Sequence, residues 1–213
     1  MRLSIASAAA FDRAAREQKP QGEQKALDLR YILRIRKMPA ASQPSYFLKS
    51  ARLGFRTWSM EDVPLAIMLW GNTEVTHTFG GPFSEPQILE RLAREIANQT
   101  AYKLQYWPVL YLEDQEFTGC CGLRPYKEGK QIFELGFHFL PQFWGKGLAT
   151  EAAQAVISHA FGPLAVKGLF AGHHPENAAS AKVLEKLGFR YTHDEIYPPT
   201  GDLHPSYFLA PPK

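Results

Sequence analysis

Two glycines and a lysine, Gly145, Lys146 and Gly147, stand between an aromatic pair and an alanine-rich segment in the stretch PQFWGKGLATEAA. Apolar residues repeat at helical spacing from Leu148 onward, so the turn precedes a helix N-terminus, where N–H groups lack partners and the helix dipole is positive. Glycine lets phosphate oxygens approach the backbone, and a lysine adds charge. The stretch is therefore either a plain tight turn or a cradle for phosphate groups. It matches neither GxGxxG nor a Walker loop, which argues against dinucleotide and nucleoside triphosphate binding.

A glutamate and a histidine lie in the strand-like run that precedes this turn, QIFELGFHFL at 131–140. Strand alternation places Glu134, Gly136 and His138 on one face and the apolar residues between them on the other. A carboxylate and an imidazole on one face could share a proton path and serve as a general base. The alternative is a solvated glutamate beside a structural histidine.

The elements that position these residues follow from hydrophobic periodicity and turn residues. The pattern predicts strands near 52–59, 106–113, 116–126, 131–140, 167–174, 189–197 and 205–210, and helices at 61–70, 84–99, 148–161 and 177–187. Ser84 and Gln87 form a capping box before the second helix, and Gly188 ends the last one. Hairpin-length links join the three central strands into an antiparallel meander. The order β-α-α-β-β-β-α-β-α-β-β predicts an α/β fold (α+β mixed sheet) with helices against the sheet.

Charge divides the 213-residue chain into two parts. Residues 1–52 hold 11 Lys+Arg against 4 Asp+Glu, a net of +7, and residues 53–213 hold 13 against 17, a net of −4. We predict a basic N-terminal extension over 1–52 and a folded domain over 53–213. The extension is either weakly ordered or a mis-assigned start, with Met38 as the better initiator. A basic arm that touches RNA is a third alternative, although basic and aromatic residues do not alternate there.

Cysteine content and hydropathy favour a cytoplasmic protein. Cys120 and Cys121 are the only cysteines, and their adjacency excludes a disulfide framework, so a reducing compartment fits. The opening run MRLSIASAAAF imitates a secretory signal, but its apolar core is thin and Asp12 follows at once. No stretch reaches the roughly 18 consecutive apolar residues of a membrane-spanning helix, so no membrane partner is expected.

Two motifs resemble a known family. QFWGKGLATEA resembles the Q/R-x-x-G-x-G/A signature of the GNAT superfamily of acyl-CoA-dependent N-acetyltransferases, with Gln142, Gly145 and Gly147 in the matching places. NAASAKVLEKLGF, at 177–189, resembles the second family motif at the expected distance. The element order agrees over about residues 53–210, and ELGFHF before the turn is most similar to the RimJ/RimL-like branch. The leader departs from the pattern.

The resemblance implies acetyl-CoA as cosubstrate and no metal. Backbone amides from about Trp144 to Ala149 would bind its pyrophosphate, and its pantetheine arm would pair with the strand ending at Leu140, where that strand splays from the one at 167–173. The implied cofactor-binding residues are Phe137, Phe139, Leu140, Gln142, Trp144, Gly145, Lys146, Gly147, Leu148, Ala149, Asn177 and Ser180.

Acetylation by direct attack in a ternary complex requires a neutral amine. Deprotonating a lysine-like amine, with a pKa of about 10.4, costs at least ~3 kcal/mol at pH 7. Glu134, alone or through a water, is therefore the expected base, with His138 beside it. A main-chain N–H near Phe139 is the expected oxyanion donor. Ser180 could hydrogen-bond the departing sulfur, and Asn177 is either an N-cap, a ligand contact, or both.

The tail YPPTGDLHPSYFL is expected to form a long connection between the last two strands, where the family shapes its acceptor pocket. Tyr197, His204 and Tyr207 are the candidate acceptor contacts. His173 and His174 suggest a metal, but no Asp or Cys follows at ligand spacing, so they are interpreted as loop histidines. The acceptor is a protein N-terminus or a small-molecule amine, nucleic acid is an unlikely partner, and the chain is a monomer or homodimer. The alternative function is a non-catalytic module that senses acyl-CoA or docks on RNA.

Overall fold

The computed structural model describes residues 45–127 and 131–212. Its strands are β1 (Leu48–Lys49), β2 (Leu53–Phe55), β3 (Tyr106–Tyr111), β4 (Phe117–Lys127), β5 (Ile132–Phe139), β6 (Gly168–Gly172), β7 (Arg190–Tyr197) and β8 (Asp202–Leu209). Its helices are α1 (Val63–Trp70), α2 (Thr73–Thr76), α3 (Glu85–Tyr102), α4 (Leu148–Phe161) and α5 (Ala178–Lys186). Short 3-10 turns cover Met60–Asp62, His77–Phe79 and Pro141–Phe143. The predicted element order is confirmed, with β1 and α2 as short additions.

The strands form one mixed sheet in the order β1-β2-β3-β4-β5-β6-β8-β7. Every neighbouring pair is antiparallel except β5 and β6, which are parallel and are joined through helix α4, as parallel strands require a crossover. The parallel pairing is short. It runs from Ile132 opposite Gly168 to Glu134 opposite Phe170, after which the two strands part. The predicted splay of these strands is therefore present.

Local sequence signals set the helix boundaries. The Ser84 amide donates to Gln87 Oε1 over 2.8 Å at the start of α3. Helix α4 buries an apolar stripe against the sheet, made of Leu148, Ala152, Ala153, Val156, Ile157 and Ala160. Asn177 caps α5, and Gly188 follows that helix in the left-handed region at φ +83°. The predicted caps at both ends of α5 are thus confirmed, because each depends on one residue's own conformational preference.

The connection between the last two strands is tighter than the sequence predicted. Tyr197 pairs with Asp202, so residues 198–201 form a short turn rather than a long loop. Gly201 adopts φ +78°, a conformation that glycine takes without strain. Pro205, which the prediction treated as the first residue after a loop, lies inside β8 opposite Asp194. The expected long connection was therefore wrong.

The folded unit extends upstream of Leu53. Strand β1 pairs with β2, and the Tyr46 ring packs so closely on Gly54 that no Cβ would fit there. Residues 1–44 of the predicted extension, including the periodic patch at 27–37, lie outside the described residues. The interpretation of that segment stays a prediction.

Both cysteines are buried and form no disulfide. They face opposite sides of β4, and burial raises the pKa of Cys120 to about 12, so its thiol stays protonated near neutral pH. Across the described ranges, none of the helices combines the length and apolar character needed to cross a membrane.

Gly136 leaves room for the Tyr106 side chain, which lies across one face of the sheet. A Cβ at Gly136 would overlap the Tyr106 ring and hydroxyl, whereas one at Gly172 would meet only ordinary contacts, 3.6 Å from a Phe170 ring carbon. We expect Gly136→Ala to lower the free energy of unfolding by about 1–3 kcal/mol through overpacking. The control Gly172→Ala should stay within about 0.5 kcal/mol of the parent. Urea unfolding measures both, and equal losses in the two variants would contradict the tight approach.

Candidate functional site

A cleft of about 990 Å³ opens where β5 and β6 part. The parting strands form its floor, and the starts of α4 and α5 form one side. The segment between α1 and α3 and the β7–β8 hairpin close the other end. Most of the sequence-predicted site residues meet in this cleft although they come from separate parts of the chain.

The glycine turn has the conformation that an anion cradle needs. Gly145 and Gly147 adopt φ +73° and +76°, and Gly147 is the N-cap of α4. No atom lies within 4 Å of the Cβ position at Gly145, so its backbone is open to a ligand. Both glycines line the cleft together with Leu148 and Ala149. The unpaired amides at the start of a 14-residue helix can therefore hold phosphate oxygens.

An arginine from the edge of β2 holds this turn in place. Arg52 Nη2 donates to Lys146 O over 3.1 Å, and the guanidinium forms an ion pair with Glu151 at 2.7 Å. Burial alone would raise the pKa of Glu151, but hydrogen bonds from Ser50 and Arg52 and the Arg52 charge lower it below its ordinary value. Arg52 adds positive charge beside the turn. Sequence reasoning missed it because the pairing spans almost 100 residues.

Main-chain groups of β5 face the gap between the parted strands. Leu140 N donates to Thr118 O on the β4 side, and Gln131 O accepts from Lys167 N on the β6 side. Since alternate residues point to opposite neighbours, the main-chain groups of Phe137 and Phe139 point to the gap. The Trp144 indole donates to Phe139 O over 2.7 Å, so one of these groups is satisfied. The Phe137 amide and carbonyl and the Phe139 amide can pair with an extended ligand.

Glu134 is held in the cleft by a tyrosine. The Tyr106 hydroxyl donates to Glu134 Oε1 over 3.0 Å, and both residues line the cleft. Burial and then the nearby Glu134 charge raise the pKa of Tyr106 well above its usual value, so the hydroxyl remains a donor. Among the described residues, no hydrogen bond reaches Glu134 Oε2. That oxygen is free to accept a proton from a group in the cleft.

A buried ion pair supports the tyrosine. The Glu95 carboxylate pairs with Arg124 and also accepts from Tyr106 N over 2.9 Å, while the Arg124 guanidinium lies 3.9 Å from the Tyr106 ring centroid. Burial alone would lower the pKa of Arg124, but the charges of Glu95, Tyr106 and Glu134 raise it overall. These residues were missed from the sequence. The available signal was a glutamate on the buried face of α3, where charged residues are rarely found unpaired.

His138 lines the same cleft but is not joined to Glu134. The Trp70 indole donates to His138 Nδ1 over 3.4 Å, and the Phe79 ring stacks on the imidazole at 4.5 Å. Burial, with the charges of Arg91 and Arg124, lowers the pKa of His138 well below its usual value. Since an indole only donates, Nδ1 accepts and the neutral ring carries its proton on Nε2. A proton path through His138 stays a prediction, and a neutral imidazole of this kind is a weak base.

The remaining predicted residues divide between the cleft and its surroundings. Trp144, Asn177 and Ser180 line the cleft, and Asn177 Oδ1 accepts from the Ser180 amide over 3.0 Å. Leu140, Gln142 and Lys146 are not among its lining residues, and the Lys146 ammonium lies 5.4 Å from the Phe143 ring centroid.

The β7–β8 hairpin supplies the other end of the cleft. Tyr197 and His204 line it and stack on each other at 4.6 Å, and their contact with an acceptor stays a prediction. Tyr207 does not line it, and its hydroxyl instead lies 3.3 Å from His173 Nε2. A Cβ placed at Gly80 would lie 3.7 Å from Pro199, so the segment before α3 lies beside the hairpin turn. These two segments together enclose this end, which we call the hairpin end.

Three possible metal ligands also meet beside the hairpin. His174 Nε2 lies 3.6 Å from Asp202 Oδ2, and ligand atoms of His174, Asp202 and His204 all lie within 4.8 Å of one another. Two imidazoles and a carboxylate are a donor set that a divalent transition metal accepts. Spacing along the sequence did not place these residues together, because the hairpin brings Asp202 and His204 to His174.

Comparison with known proteins relates this chain to a family. The chain matches the family described as Acetyltransferase (GNAT) domain over residues 52–190. It is 28% identical over 145 residues to the uncharacterized N-acetyltransferase p20 of Bacillus licheniformis, covering 67% of this chain and 82% of that protein. It is 29% identical over 126 residues to the uncharacterized protein YkkB of Bacillus subtilis (strain 168), covering 59% and 73%.

Solved structures share the fold. An acetyltransferase from Agrobacterium tumefaciens superposes with a TM-score of 0.65 at 25% identity, covering 79% of this chain and 99% of that one. RimL, an alpha-N-protein acetyltransferase of a ribosomal protein, in complex with coenzyme A, superposes with a TM-score of 0.67 at 14% identity, covering 78% and 98%.

The lowered pKa of His138 predicts a pH-dependent stability. Above about pH 6.5, the usual histidine pKa, the imidazole is neutral in both folded and unfolded chains. As the pH falls through that value, the unfolded chain takes up a proton that the folded chain does not, so the free energy of unfolding falls until the lower folded-state pKa is reached. We expect His138→Phe to weaken this dependence.

Urea unfolding between pH 5 and 8, at constant ionic strength, measures the slope. The dependence should be reduced rather than abolished, because burial also lowers the pKa values of His159 and His204. His193→Phe, which replaces an exposed imidazole on β7, is the control and should keep the parent slope. A His138→Phe slope equal to that of the parent would mean that the folded and unfolded chains protonate the imidazole equally, so that its pKa is not lowered by folding.

Proposed function

Because this chain belongs to the GNAT acetyltransferase family, we propose that it transfers the acetyl group of acetyl-CoA to a primary amine by direct attack within a ternary complex. One observation carries the proposal. A glycine turn at a helix start, a strand gap with unpaired main-chain groups, and a glutamate with one free oxygen open into the same cleft. Each supplies a different requirement of the reaction.

The residues of the cleft fit acetyl-CoA. Gly145 leaves its backbone open, so the amides of the turn and of the first turn of α4 can hold the pyrophosphate, with Arg52 adding positive charge. The main-chain groups of Phe137 and Phe139 in the gap match the amides of a pantetheine arm. When bound there, acetyl-CoA supplies an acetyl thioester whose thiol is a fair leaving group near neutral pH.

Glu134 is proposed as the general base. Tyr106 fixes Oε1, and Oε2 takes a proton from the amine directly or through a water. The amine nitrogen then bonds to the carbonyl carbon, and the carbon–sulfur bond breaks. The second proton of the nitrogen passes to the departing thiolate, which gives the amide and the CoA thiol. Both Phe139 and Ser180 line the cleft, and we propose the Phe139 amide as donor to the carbonyl oxygen and the Ser180 hydroxyl as donor to the departing sulfur.

The acceptor is proposed to be a protein N-terminus or a small-molecule amine. RimL, whose fold this chain shares, acts on the alpha-amino group of a ribosomal protein, which is the reason to test protein N-termini. A coupled assay of CoA release over peptides and small amines tests the proposal directly. CoA binding without acetylation of any amine would instead favour a non-catalytic acyl-CoA sensor, and no binding of acetyl-CoA would remove the proposal altogether.

Replacing the base should slow catalysis without affecting CoA. We expect Glu134→Gln to lower turnover by about 10²-fold or more, most strongly at low pH, where more of the amine is protonated. The dissociation constant of CoA, measured by calorimetry, should stay nearly unchanged. Glu176→Gln, an exposed carboxylate at the rim of the cleft, is the matched control and should keep the parent turnover. Unaltered turnover in Glu134→Gln would remove Glu134 from the mechanism.

The role of the glycine turn in CoA binding can be tested with a control variant that has a similar backbone strain. Gly147 and Gly201 have nearly equal φ values, +76° and +78°, so a valine at either position costs a similar strain, about 1–2 kcal/mol. Only Gly147 belongs to the proposed phosphate cradle. We expect Gly147→Val to abolish CoA binding in calorimetry, while Gly201→Val loses comparable stability and still binds CoA. Retained CoA binding in Gly147→Val would mean that the segment is a plain turn and not a phosphate-binding site.

A further inference from the structure

Arg91 is a buried cation at the hairpin end of the cleft. It lies on α3 with 8% of its surface exposed and lines the cleft. Its guanidinium carbon lies 4.8 Å from the Trp70 ring centroid, 5.5 Å from that of Phe79 and 5.8 Å from that of Phe83. Three rings therefore surround a charged group that soluble proteins rarely bury.

This cation has no anion of its own. Within the described ranges, Arg91 makes neither a hydrogen bond nor an ion pair, and its buried Nε lacks any partner. The nearest candidate, Glu95, sits one helical turn further along α3, but its carboxylate is committed to Arg124 and to the Tyr106 amide. Burial and the Arg124 charge lower the pKa of Arg91 to about 10, so the group is still charged at pH 7.

Aromatic contacts satisfy only part of a guanidinium. Rings attract the cation through its faces, whereas the five N–H donors lie in the guanidinium plane and need acceptors. Leaving a buried charge without an acceptor costs several kcal/mol. A planar fork of donors that lines a cleft is suited to bidentate binding of a carboxylate. Arg91 therefore has the geometry of a receptor for an anionic group of a ligand.

The position of Arg91 assigns that anion to the acceptor. Phe79 and Phe83 belong to the segment that lies beside the hairpin turn, and Arg91 lines the same cleft as Tyr197 of the hairpin. None of the ring contacts of Arg91 comes from the glycine turn that would hold the CoA phosphates. Of the two arginines that line the cleft, Arg124 is paired with Glu95, whereas Arg91 has no ion pair and can bind one carboxylate.

We propose that Arg91 binds the carboxylate of an acceptor that carries both an amine and a carboxylate, as a free amino acid does. This inference rests on the proposed function: the amine would face Glu134 while the carboxylate pairs with Arg91, both within the one cleft. It separates amino-acid-like acceptors from polyamines, which carry no anion. The mildly acidic surface of the domain favours cationic amines, but the charge inside the cleft is the more direct selector.

Binding of N-acetyl amino acids tests the proposal without turnover. Each is compared with its carboxamide by calorimetry, on the free protein and on its CoA complex. We expect at least one N-acetyl amino acid to bind. The dissociation constant of its carboxamide should be at least ten-fold higher. Arg91→Met should remove this preference, and Arg91→Lys should keep part of it. Arg94→Met, an exposed cation of the same helix, is the control and should keep the whole preference.

Stability gives a second, independent measurement. A methionine under the three rings replaces an unpaired charge, so Arg91→Met should be at least as stable as the parent in urea. A variant that loses stability while the carboxylate preference persists would make Arg91 a purely structural residue. The proposal is also overturned if carboxylates and carboxamides bind equally, or if no N-acetyl amino acid binds. Failure of the acetyltransferase proposal appears separately, as absent binding of acetyl-CoA.

Discussion

The parting of β5 from β6 after Glu134 is the constraint on which the rest of the structure depends. A sheet normally satisfies its main-chain groups by pairing each strand with the next. Here only three residue pairs join β5 to β6. Beyond them, the edge of β5 that faces β6 is unpaired, while its other edge stays paired with β4. Helix α4 begins beyond the end of β5, so the unpaired strand edge and the unpaired helix amides face one cleft. Two kinds of unsatisfied backbone group thus occur together where a ligand can satisfy both.

Holding strands apart requires rigid support on the side away from the gap. The antiparallel pairing of β4 with β5 continues to Phe139, and the Tyr106 ring crosses Gly136 to reach Glu134. Behind that ring, the pair of Glu95 and Arg124 is buried and bonded to the β3 backbone. Within the described residues, Arg124 Nε lacks a hydrogen-bond partner, so this network is not fully satisfied. The Tyr106 hydroxyl nevertheless bonds directly to Glu134 Oε1. The carboxylate in the cleft therefore has a defined orientation.

Features set by a few neighbouring residues could be predicted from the sequence. Gly145, Gly147 and Asn177 were identified because left-handed backbone and helix capping depend on one residue's own chemistry. Features that depend on pairing across the fold could not. Arg52 reaches the glycine turn from a strand almost 100 residues away, and no periodicity marks such a contact. The hairpin of β7 and β8 was misjudged for a related reason, since the pairing of Tyr197 with Asp202 is a contact between strands, and a long connection was expected in its place.

Trp144 gives the molecule an optical property. The other three tryptophans, Trp58, Trp70 and Trp107, are at most 4% exposed, whereas Trp144 is 48% exposed and its indole is bonded to the last carbonyl of β5. Buried indoles emit at shorter wavelengths than hydrated ones, so the long-wavelength part of the fluorescence comes from a single side chain beside the gap. Filling the gap would change the solvent around that indole, and the natural protein would report its own occupancy without a label.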